Sequence, residues 1–375
     1  MQLIFILKLS NFIKSIFSII IINFLIIFNS KKVILFYFPR KDLTLKDLNY
    51  ITDMLDSLKN KCFIIYGHKL NMINKKKFFF INEGFLKYLL NVDLFISNYI
   101  CDNFPKLSKK IYIHHSLYDT PLTGKKREKE TINRLKKYDY IFLSSKNLVE
   151  SFSNIYLKNY NKKIQIKSTG YPRFDYFNKI IPKKKDSIII ATANFIAYPD
   201  HTIINYIEKI IEVIKKNSKF NIIFRPHPAN RLLLNNNNNQ NLNINKILSK
   251  YSKDKKVLLD FSEDYSKTYA RSLFMITDLS GTAFTYSFLT NCPVIFYSPK
   301  EHLFKKNYKN LNHYKDRKKI GYIAKNINGI DLYIKELLSN PNKYKKSISI
   351  LRKKIDYLGK SKLKTLNEIK NIIKI

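Results

Sequence analysis

The sequence predicts an α/β protein with two parallel-sheet domains that face each other across a cleft. Three observations support this prediction. The 375 residues exceed what one ordinary hydrophobic core requires. Short apolar segments rich in Val, Ile, Phe and Tyr alternate with longer helical patterns, which is typical of βαβ units. This alternation stops once near the middle of the chain and then resumes, so we expect two Rossmann-like domains.

The N-terminal residues 1–30 are predicted to form a membrane-associating helix. Their polar residues recur three or four apart and share one helix face: Lys8, Asn11, Ser15 and Ser18. This amphipathic pattern favours an interfacial helix at the cytoplasmic face of the cell membrane, although the apolar stretch 16–28 is long enough to cross the bilayer if tilted. The alternatives are a helix packed on the protein's own surface and, since no small-residue cleavage site follows, less favourably a signal peptide.

The first domain is predicted over residues 31–180 and binds the acceptor in this interpretation. Its strands are expected at Val33 to Phe38, Cys62 to Tyr66, Leu94 to Ser97, Ile111 to His114, Tyr140 to Ser144 and Ile164 to Ser168. Gly170, Pro172, Pro182 and the lysine run 183–185 then interrupt the pattern. We interpret this segment as a linker.

The second domain is predicted over residues 186–340 and binds a nucleotide donor. Its strands are expected at Ser187 to Ala191, Asn221 to Arg225, Val257 to Asp260, Phe274 to Thr277 and Val294 to Tyr297. A helix is expected near residues 201–216, and the asparagine run 235–239 indicates a surface loop. Residues 341–375 are predicted to form a basic helical tail that packs back across both domains.

The composition limits the function classes. The formal charge of +40 arises from 68 Lys and Arg against 28 Asp and Glu, a balance that by itself indicates nucleic acid or an anionic membrane. The chain is also crowded with Ile, Asn, Phe and Tyr, a bias that AT-rich codons produce in any protein. It contains no zinc-finger spacing and no aromatic-glycine RNA-binding signature, so we expect no nucleic-acid partner. A basic surface favours anionic lipid or a phosphate-rich polymer instead.

The three cysteines are predicted to be buried thiols in a reducing compartment. Cys62, Cys101 and Cys292 are odd in number, far apart and surrounded by apolar residues. This spacing indicates neither a disulfide framework nor a metal site.

Candidate catalytic histidines follow two of the predicted strands. His114 and His115 end a strand of the first domain, where an imidazole with an unperturbed pKa of ~6.5 can act as a general base. Strand neighbours point to opposite faces, so both aim at one substrate only if the strand has ended. In the second domain, Arg225 and His227 lie in an Arg-Pro-His-Pro turn. Its prolines stiffen the backbone, and an arginine fork beside a rigid imidazole suits a diphosphate.

A candidate anion site follows another strand of the second domain. Asp278 is followed by Ser280, Gly281 and Thr282 at the start of a predicted helix, where backbone N–H groups and hydroxyls face an incoming anion. An ordinary helix N-cap is the alternative interpretation. Gly170 and Pro172 form a turn at the domain junction, and Arg173 of this turn is a further candidate for the cleft.

Taken together and in this order, these motifs resemble the CDP-glycerol glycerophosphotransferase family, which builds teichoic-acid-type and capsular polymers. The motifs that match are Gly-Tyr-Pro-Arg-Phe-Asp at 170–175, Arg-Pro-His-Pro at 225–228 and Asp-Leu-Ser-Gly-Thr at 278–282, which leads to Pro-Val-Ile-Phe-Tyr at 293–297. The resemblance implies a GT-B fold at the cytoplasmic membrane face and two essential histidines. These histidines correspond to His115 and His227, with His114 and Asp175 as secondary candidates.

The resemblance also implies a reaction. The acceptor hydroxyl attacks the β-phosphorus of CDP-glycerol, or of a related cytidine nucleotide, while His115 removes its proton and CMP leaves. Ser280 and Thr282 correspond to the hydroxyls that hold the donor phosphates. The chain departs from the family pattern at Ser116, usually Gly, at Gly281 within a usual Ser-Ser pair, and at Thr285, usually Asp. No Asp-x-Asp motif ends a strand, so we expect no metal and no cofactor.

Two other functions remain open from the sequence. One is a GT-B glycosyltransferase that uses a CMP-sugar in capsule or lipopolysaccharide synthesis. The other is a non-catalytic, membrane-bound protein that binds the polymer. The acceptor, a lipid-linked molecule or a cell-surface polymer, is not specified by any motif.

Overall fold

Both predicted sheets are present and every strand pair in them is parallel. The computed structural model describes residues 2–39, 49–68, 78–118, 122, 124–157, 164–177, 185–231, 245–247, 249–262 and 264–375. The asparagine run 235–239 and residues 178–184 of the predicted linker lie outside these residues.

The first sheet has seven strands in the order β3-β2-β1-β4-β5-β6-β7. Its strands are β1 Lys32–Phe38, β2 Cys62–His68, β3 Phe78–Phe80, β4 Leu94–Ser97, β5 Lys109–Ile113, β6 Tyr140–Leu143 and β7 Gln165–Ser168. The helices of this half are α1 Gln2–Ile27, α2 Asn49–Asp56, α3 Glu128–Leu135, α4 Lys146–Tyr156 and α5 Pro172–Phe177. Because the strand order departs from the chain order between β1 and β4, this half has the topological switch point at which open α/β sheets bind ligands.

The second sheet has six strands in the order β10-β9-β8-β11-β12-β13. Its strands are β8 Ser187–Ala191, β9 Asn221–Arg225, β10 Val257–Leu259, β11 Ser272–Thr277, β12 Val294–Tyr297 and β13 Gly321–Ala324. The helices that follow are α6 Ile207–Asn217, α7 Pro228–Arg231, α8 Ser266–Arg271, α9 Thr282–Thr290, α10 Glu301–Tyr308, α11 Asn312–Ile320, α12 Ile327–Ser339, α13 Lys345–Arg352 and α14 Ser361–Ile373. The fold prediction of two α/β halves is therefore confirmed.

The sequence did not predict the edge strands β3 and β13. β3 has only three residues, all half-buried, and so gives no alternating pattern. β13 begins at Gly321, a residue that normally weakens a strand signal. The structure explains this glycine, because a Cβ at position 321 would lie 1.7 Å from the carbonyl oxygen of Val294 on β12. Close approach of the two strands thus requires a residue without a side chain.

The C-terminal helices return to both halves of the molecule. Ile348 and Leu351 of α13 lie in the core of the second sheet. Ile369 and Ile372 of α14 instead pack in the core of the first sheet, beside β1 and α2. The predicted tail therefore contacts both sheets. The domain limits 31–180 and 186–340 stay a prediction.

A junction of hydrogen bonds joins the returning tail to the end of β7. The carboxylate of Asp175 accepts the backbone N–H groups of Gly359 and Ser361, both at 2.7 Å. The carboxylate of Asp356 accepts the hydroxyl of Ser168 at 2.6 Å. Gly170 sits inside this junction with φ of +79°, and a Cβ there would lie 2.4 Å from Ser361 Oγ. Gly170 is required both for its backbone conformation and for space.

Helix α1 packs on the first half through a narrow stripe. Ile19, Ile22 and Ile26 are buried in the same core as β1 and β5. Ser15 is fully buried, and its hydroxyl accepts the backbone N–H of Asn82 at 3.0 Å. The amphipathic pattern was expected to reflect membrane attachment. Part of the polar face of α1 instead packs on the protein itself.

The opposite side of α1 exposes an unusually large apolar surface. Its exposed side chains are Leu9, Phe12, Ile13, Ile16, Phe17, Ile20, Ile21, Phe24, Leu25 and Ile27. The stretch Leu9–Ile27 is also the one helix in the described part of the chain that is long and apolar enough to cross a membrane. Soluble surfaces rarely carry contiguous apolar patches of this size.

The junction predicts the effect of substituting Gly170. Gly170→Ala should lower the free energy of unfolding by about 2 to 4 kcal/mol, because it adds a steric clash to the strain of a positive φ. Gly359 also has a positive φ, of +74°, but no atom lies within 4 Å of its Cβ position. Gly359→Ala should therefore cost only about 1 to 2 kcal/mol. Urea unfolding of the full chain measures both, and equal losses would contradict the steric argument.

Candidate active site

The candidate residues gather where the carboxyl edges of the two sheets approach each other. The loop after β5 reaches from the first sheet into the second half of the molecule. There Tyr118 stacks on Phe284 of α9 with ring centroids 4.2 Å apart, and its hydroxyl donates to the carboxylate of Asp316. In the second half, the His227 turn and the start of α9 both follow strands of one parallel sheet, and Tyr118 of the loop after β5 contacts α9.

His114 and His115 share one hydroxyl group. β5 ends at Ile113, one residue earlier than predicted, so the alternation of strand neighbours no longer separates the two rings. The hydroxyl of Tyr112 lies 3.1 Å from Nδ1 of His114 and 3.2 Å from Nδ1 of His115. His115 is half-buried and stacks on Tyr99 with centroids 4.5 Å apart.

The two imidazoles differ in their surroundings. His114 is only 2% exposed, and its Nε2 has no hydrogen-bond partner among the described residues. Burial lowers the pKa of His114 to about 3, so this imidazole stays neutral near pH 7. The secondary candidate His114 is therefore packed behind the site, and the partly exposed His115 is the better placed to meet a substrate.

The Arg-Pro-His-Pro turn holds His227 by its backbone. The N–H of His227 donates to Thr192 Oγ1 at 3.2 Å, and its carbonyl accepts the N–H of Asn230 at 2.9 Å. The side chain of Asn230 in turn donates to the carbonyl of Ala193 at 3.1 Å. The prolines and these bonds fix the turn against the segment that follows β8, as the sequence predicted for a rigid imidazole.

Arg225 forms a well-shielded ion pair. Its Nη1 lies 2.6 Å from Oδ2 of Asp260, and both side chains are only about a tenth exposed, at 10% and 11%. Nη2 also donates to the carbonyl of Ser262 at 2.7 Å. Burial alone would raise the pKa of Asp260, but the Arg225 charge and nearby hydroxyls outweigh it and lower that pKa. The guanidinium of Arg225 thus pairs with its own loop, and its contact with a diphosphate stays a prediction.

Asp278 supports the turn before α9 through hydrogen bonds to the backbone. Its carboxylate accepts the backbone N–H groups of Ala193 at 2.8 Å and of Ile203 at 3.2 Å. Burial raises the pKa of Asp278 to about 7, in opposition to these two hydrogen bonds. Since Ala193 also binds the His227 turn through Asn230, Asp278 aligns the candidate anion turn with that histidine. The structure gives Asp278 a supporting position, and its contact with a donor stays a prediction.

The turn from Ser280 to Thr282 begins helix α9, as predicted. Gly281 occupies the N-cap position and has no side chain that could cap the helix. Ser280 accepts the backbone N–H of Thr282 at Oγ, at 3.4 Å, and that of Ala283 at its carbonyl, at 3.2 Å, while the hydroxyl of Thr282 is hydrogen-bonded to that of Tyr269. A helix start attracts anions through the helix dipole.

Arg173 of the first half lies next to this turn. Its guanidinium carbon is 5.2 Å from the ring centroid of Tyr265, and Tyr265 packs on Tyr269 with centroids 4.7 Å apart. Burial raises the pKa of Tyr269, whereas the charges of Arg225 and Arg173 lower it. Arg173 thus brings positive charge from the first half to the anion turn of the second. By contrast, both carboxylate oxygens of Asp175 bind the tail junction, which gives that secondary candidate a structural role.

Three tyrosines of the site were not predicted. Tyr112 links the two imidazoles, Tyr269 binds the hydroxyl of Thr282, and the hydroxyl of Tyr171 donates to the carbonyl of His115 at 2.7 Å. Tyr171 stands inside the matched Gly-Tyr-Pro-Arg motif, and Tyr112 precedes His114 by two residues on one strand face. These spacings were the signals from which Tyr171 and Tyr112 could have been predicted. They are weak because the chain has 26 tyrosines, and many of them lie near a motif by chance.

The described residues contain no group of three His, Cys, Asp or Glu side chains suited to a metal ion. The cysteines are free thiols, with Cys62 and Cys101 buried and Cys292 half-buried. The prediction of unpaired thiols is confirmed, although Cys292 is less buried than expected.

The family model for CDP-glycerol:poly(glycerophosphate) glycerophosphotransferases matches residues 19–362. The chain belongs to this family. The match includes both histidine turns, the start of α9 and the tail junction of the glycerophosphotransferase. No curated protein matches the sequence.

Solved structures with the same fold include the wall teichoic acid polymerase TagF. TagF soaked with CDPG is 17% identical, with a TM-score of 0.63, and 98% of each chain is covered. The S. aureus MnaA–UDP structure is 13% identical with a TM-score of 0.61, covering 92% of this chain and 97% of that one. A glycosyltransferase from Rickettsia africae is 14% identical with a TM-score of 0.51, covering 92% and 100%. At these identities the similarity establishes the GT-B-like fold of the glycerophosphotransferase.

The start of α9 predicts a change in donor affinity. Thr282→Ala removes one hydroxyl but keeps the backbone N–H groups, so affinity for CDP-glycerol, after which the family is named, should fall by about 1 to 2 kcal/mol, or roughly 5- to 30-fold. Thr290 ends the same helix, where its hydroxyl donates to the carbonyl of Tyr286 at 2.7 Å. Thr290→Ala should bind normally. Calorimetric titration compares the two, and equal affinities would make the turn an ordinary helix start.

Proposed function

We propose that this enzyme transfers glycerol phosphate, or a similar polyol phosphate, from CDP-glycerol to a polymer or lipid-linked acceptor at the membrane. The supporting observation is a series of contacts that links His115, the start of α9 and the His227 turn. Tyr171, which binds the carbonyl of His115, shares a core with Tyr269, which binds the hydroxyl of Thr282. Asp278 and Asn230 both bind Ala193 and so join the start of α9 to the His227 turn. This combination lies inside the family match, which spans residues 19–362.

The two halves have different tasks in this proposal. The first half supplies the base, because His115 is half-buried at the end of β5 and fixed by Tyr112 and Tyr99. The second half binds the donor diphosphate through the N–H groups at the start of α9, the hydroxyl of Thr282 and the imidazole of His227. Because the charge of Arg225 is balanced by Asp260, Arg173 supplies the positive charge beside the diphosphate.

The transfer is a displacement at phosphorus. An acceptor hydroxyl loses its proton to Nε2 of His115, and its oxygen forms a bond to the β-phosphorus of CDP-glycerol. The bond between this phosphorus and the bridging oxygen breaks, and CMP leaves with that oxygen and its electron pair. Positive charge and N–H groups around the diphosphate stabilise the charge that accumulates on the leaving group.

The reaction is tested by offering the full-length enzyme two labelled donors. Incubation with CDP-glycerol and a glycerol phosphate acceptor should release CMP and extend the acceptor, while CMP-sialic acid should remain intact. Release of CMP from the sugar donor alone would identify a glycosyltransferase. Binding of anionic polymer with turnover of neither donor would identify a binding protein.

The two histidines should respond differently to substitution. His115→Ala should leave CDP-glycerol binding nearly unchanged while turnover falls roughly a hundredfold to ten-thousandfold, because it removes the base. His227→Ala should weaken donor binding as well as turnover. His302 is an exposed residue of α10, and His302→Ala controls for the general loss of an imidazole. Normal turnover by His115→Ala would refute the assignment of the base.

We also propose that α1 attaches the enzyme to the cytoplasmic membrane surface. Its buried stripe from Ser15 to Ile26 keeps the helix against the first half for about 16 Å, so the exposed apolar side faces outward along the helix. Lys14, Lys31 and Lys87 are exposed near this side, where they suit anionic lipid headgroups. An interfacial helix fits this packing better than a span, which would separate α1 from the core it completes.

Membrane attachment should depend on the outward side of α1. Phe17→Asn combined with Phe24→Asn should abolish sedimentation with phosphatidylglycerol vesicles while leaving the melting temperature unchanged, since these rings are 63% and 61% exposed. Leu332 and Leu363 are 53% and 59% exposed on other helices, and their Asn variants serve as matched controls. Continued vesicle binding by the α1 variant would shift attachment to the basic surface.

A further inference from the structure

A buried network lies behind His115 and has no task in the proposed transfer. Tyr112 and His114, two residues apart on the end of β5, both direct their polar atoms toward the same point. The Tyr112 hydroxyl is within 3.2 Å of Nδ1 on each imidazole. Tyr112 is fully buried and His114 nearly so. One phenol oxygen therefore connects a buried imidazole with the partly exposed imidazole of the candidate base.

Counting protons restricts this network to two arrangements. A phenol has one proton to donate, and burial holds the pKa of Tyr112 well above its usual value, so that proton remains in place. If both hydrogen bonds form, Tyr112 donates to one imidazole and accepts Nδ1–H from the other. In the first arrangement His115 donates, and its Nε2 is then unprotonated. In the second arrangement His115 accepts, and its Nε2 carries the proton.

We propose that Tyr112 and His114 are positioning residues that hold His115 in the tautomer with an unprotonated Nε2. In this arrangement His115 Nδ1–H donates to the Tyr112 oxygen, and the Tyr112 hydroxyl donates to Nδ1 of His114. This inference rests on the proposed role of His115 as the base. Only this tautomer can take a proton from the acceptor hydroxyl at Nε2.

The same arrangement also suits the protonated state that follows. When Nε2 of His115 receives the acceptor proton, the Nδ1–H bond to Tyr112 persists and no other bond has to change direction. His114 remains a neutral acceptor, because burial lowers its pKa to about 3. An edge contact with Phe152, at 5.2 Å between centroids, helps to fix the orientation of its ring. Neutral His114 thus retains the lone pair that the Tyr112 proton requires.

The packing around His115 fixes the plane of its ring. Tyr99 stacks on it at an interplanar angle of 23°, and Tyr171 holds the backbone carbonyl of His115 from the domain junction. With the ring plane and the backbone fixed, Tyr112 determines which nitrogen faces the network. Outer hydrogen bonds of this kind typically change activity 10- to 100-fold when a metal-bound histidine loses them, and we expect a similar scale here.

Three conservative variants test the inference in the full-length, vesicle-bound enzyme. Tyr112→Phe removes only the hydroxyl, and kcat for CMP release from CDP-glycerol should fall roughly 10- to 100-fold with KM within about twofold of wild type. His114→Leu removes the proton acceptor and should cause a similar loss. His114→Asn places a carbonyl acceptor at the position of Nδ1 and should recover most of the rate. The double variant Tyr112→Phe/His115→Ala should be no slower than His115→Ala.

The outcomes separate this inference from the proposed function. Inactive His115→Ala together with normal kcat in Tyr112→Phe and His114→Leu would overturn the inference and leave the function standing. Normal turnover by His115→Ala would refute both the base assignment and this inference, while glycerol phosphate transfer itself would stand. Equal losses in His114→Asn and His114→Leu, or losses matched by lower melting temperatures, would show that the residues serve packing alone.

Discussion

The crossing of the chain beside Gly170 is the constraint on which the rest of the structure depends. At this point β7 ends and α5 leads toward the second sheet, while the segment returning from α13 to α14 passes alongside. Asp175 accepts a backbone N–H of the returning segment, and Asp356 of that segment accepts the hydroxyl of Ser168. Gly170 leaves room for the two segments to pass each other. Because the same turn carries Tyr171 and Arg173, the crossing also sets the positions of groups that support His115 and the anion turn.

The charge of the whole chain gives little guidance to the charge of its site. Although the net charge is +40, the best-placed arginine of the second half is balanced by Asp260, and Asp278 is directed toward backbone N–H groups. The candidate site therefore offers a helix start, hydroxyl groups and the guanidinium of Arg173. Preorganised dipoles of this type stabilise developing charge without the cost of reorienting solvent.

The architecture could be predicted from sequence because parallel strands covered on both faces are continuous apolar segments. Four strands, including Leu94–Ser97 and Val294–Tyr297, have the predicted limits. Edge strands such as β3 lack this signal, since three half-buried residues produce no pattern. The position of the histidines at strand ends was equally predictable from the topology of α/β sheets.

The partners of the site residues could not be predicted in the same way. The Arg225–Asp260 pair joins residues 35 positions apart, and its existence depends on the register between β9 and β10. The sharing of Tyr112 by two imidazoles depends on β5 ending at Ile113 and not one residue later. Local sequence specifies strand limits only to within a residue or two. Here one residue decides whether both imidazoles can reach the hydroxyl of Tyr112.

The return of α14 to the first sheet affects how the protein is made. The first sheet is synthesised by residue 168, but Ile369 and Ile372, which complete its core beside Phe36 and Ile51, follow much later in the chain. At translation rates of about 5 to 20 residues per second, this delay lasts roughly 10 to 40 s. During that interval the face of the nascent sheet that α14 covers and the outward side of α1 are both open. Since α1 packs in a different core, contact of α1 with a membrane would cover only its own outward side, and the face beside Phe36 stays open until α14 arrives.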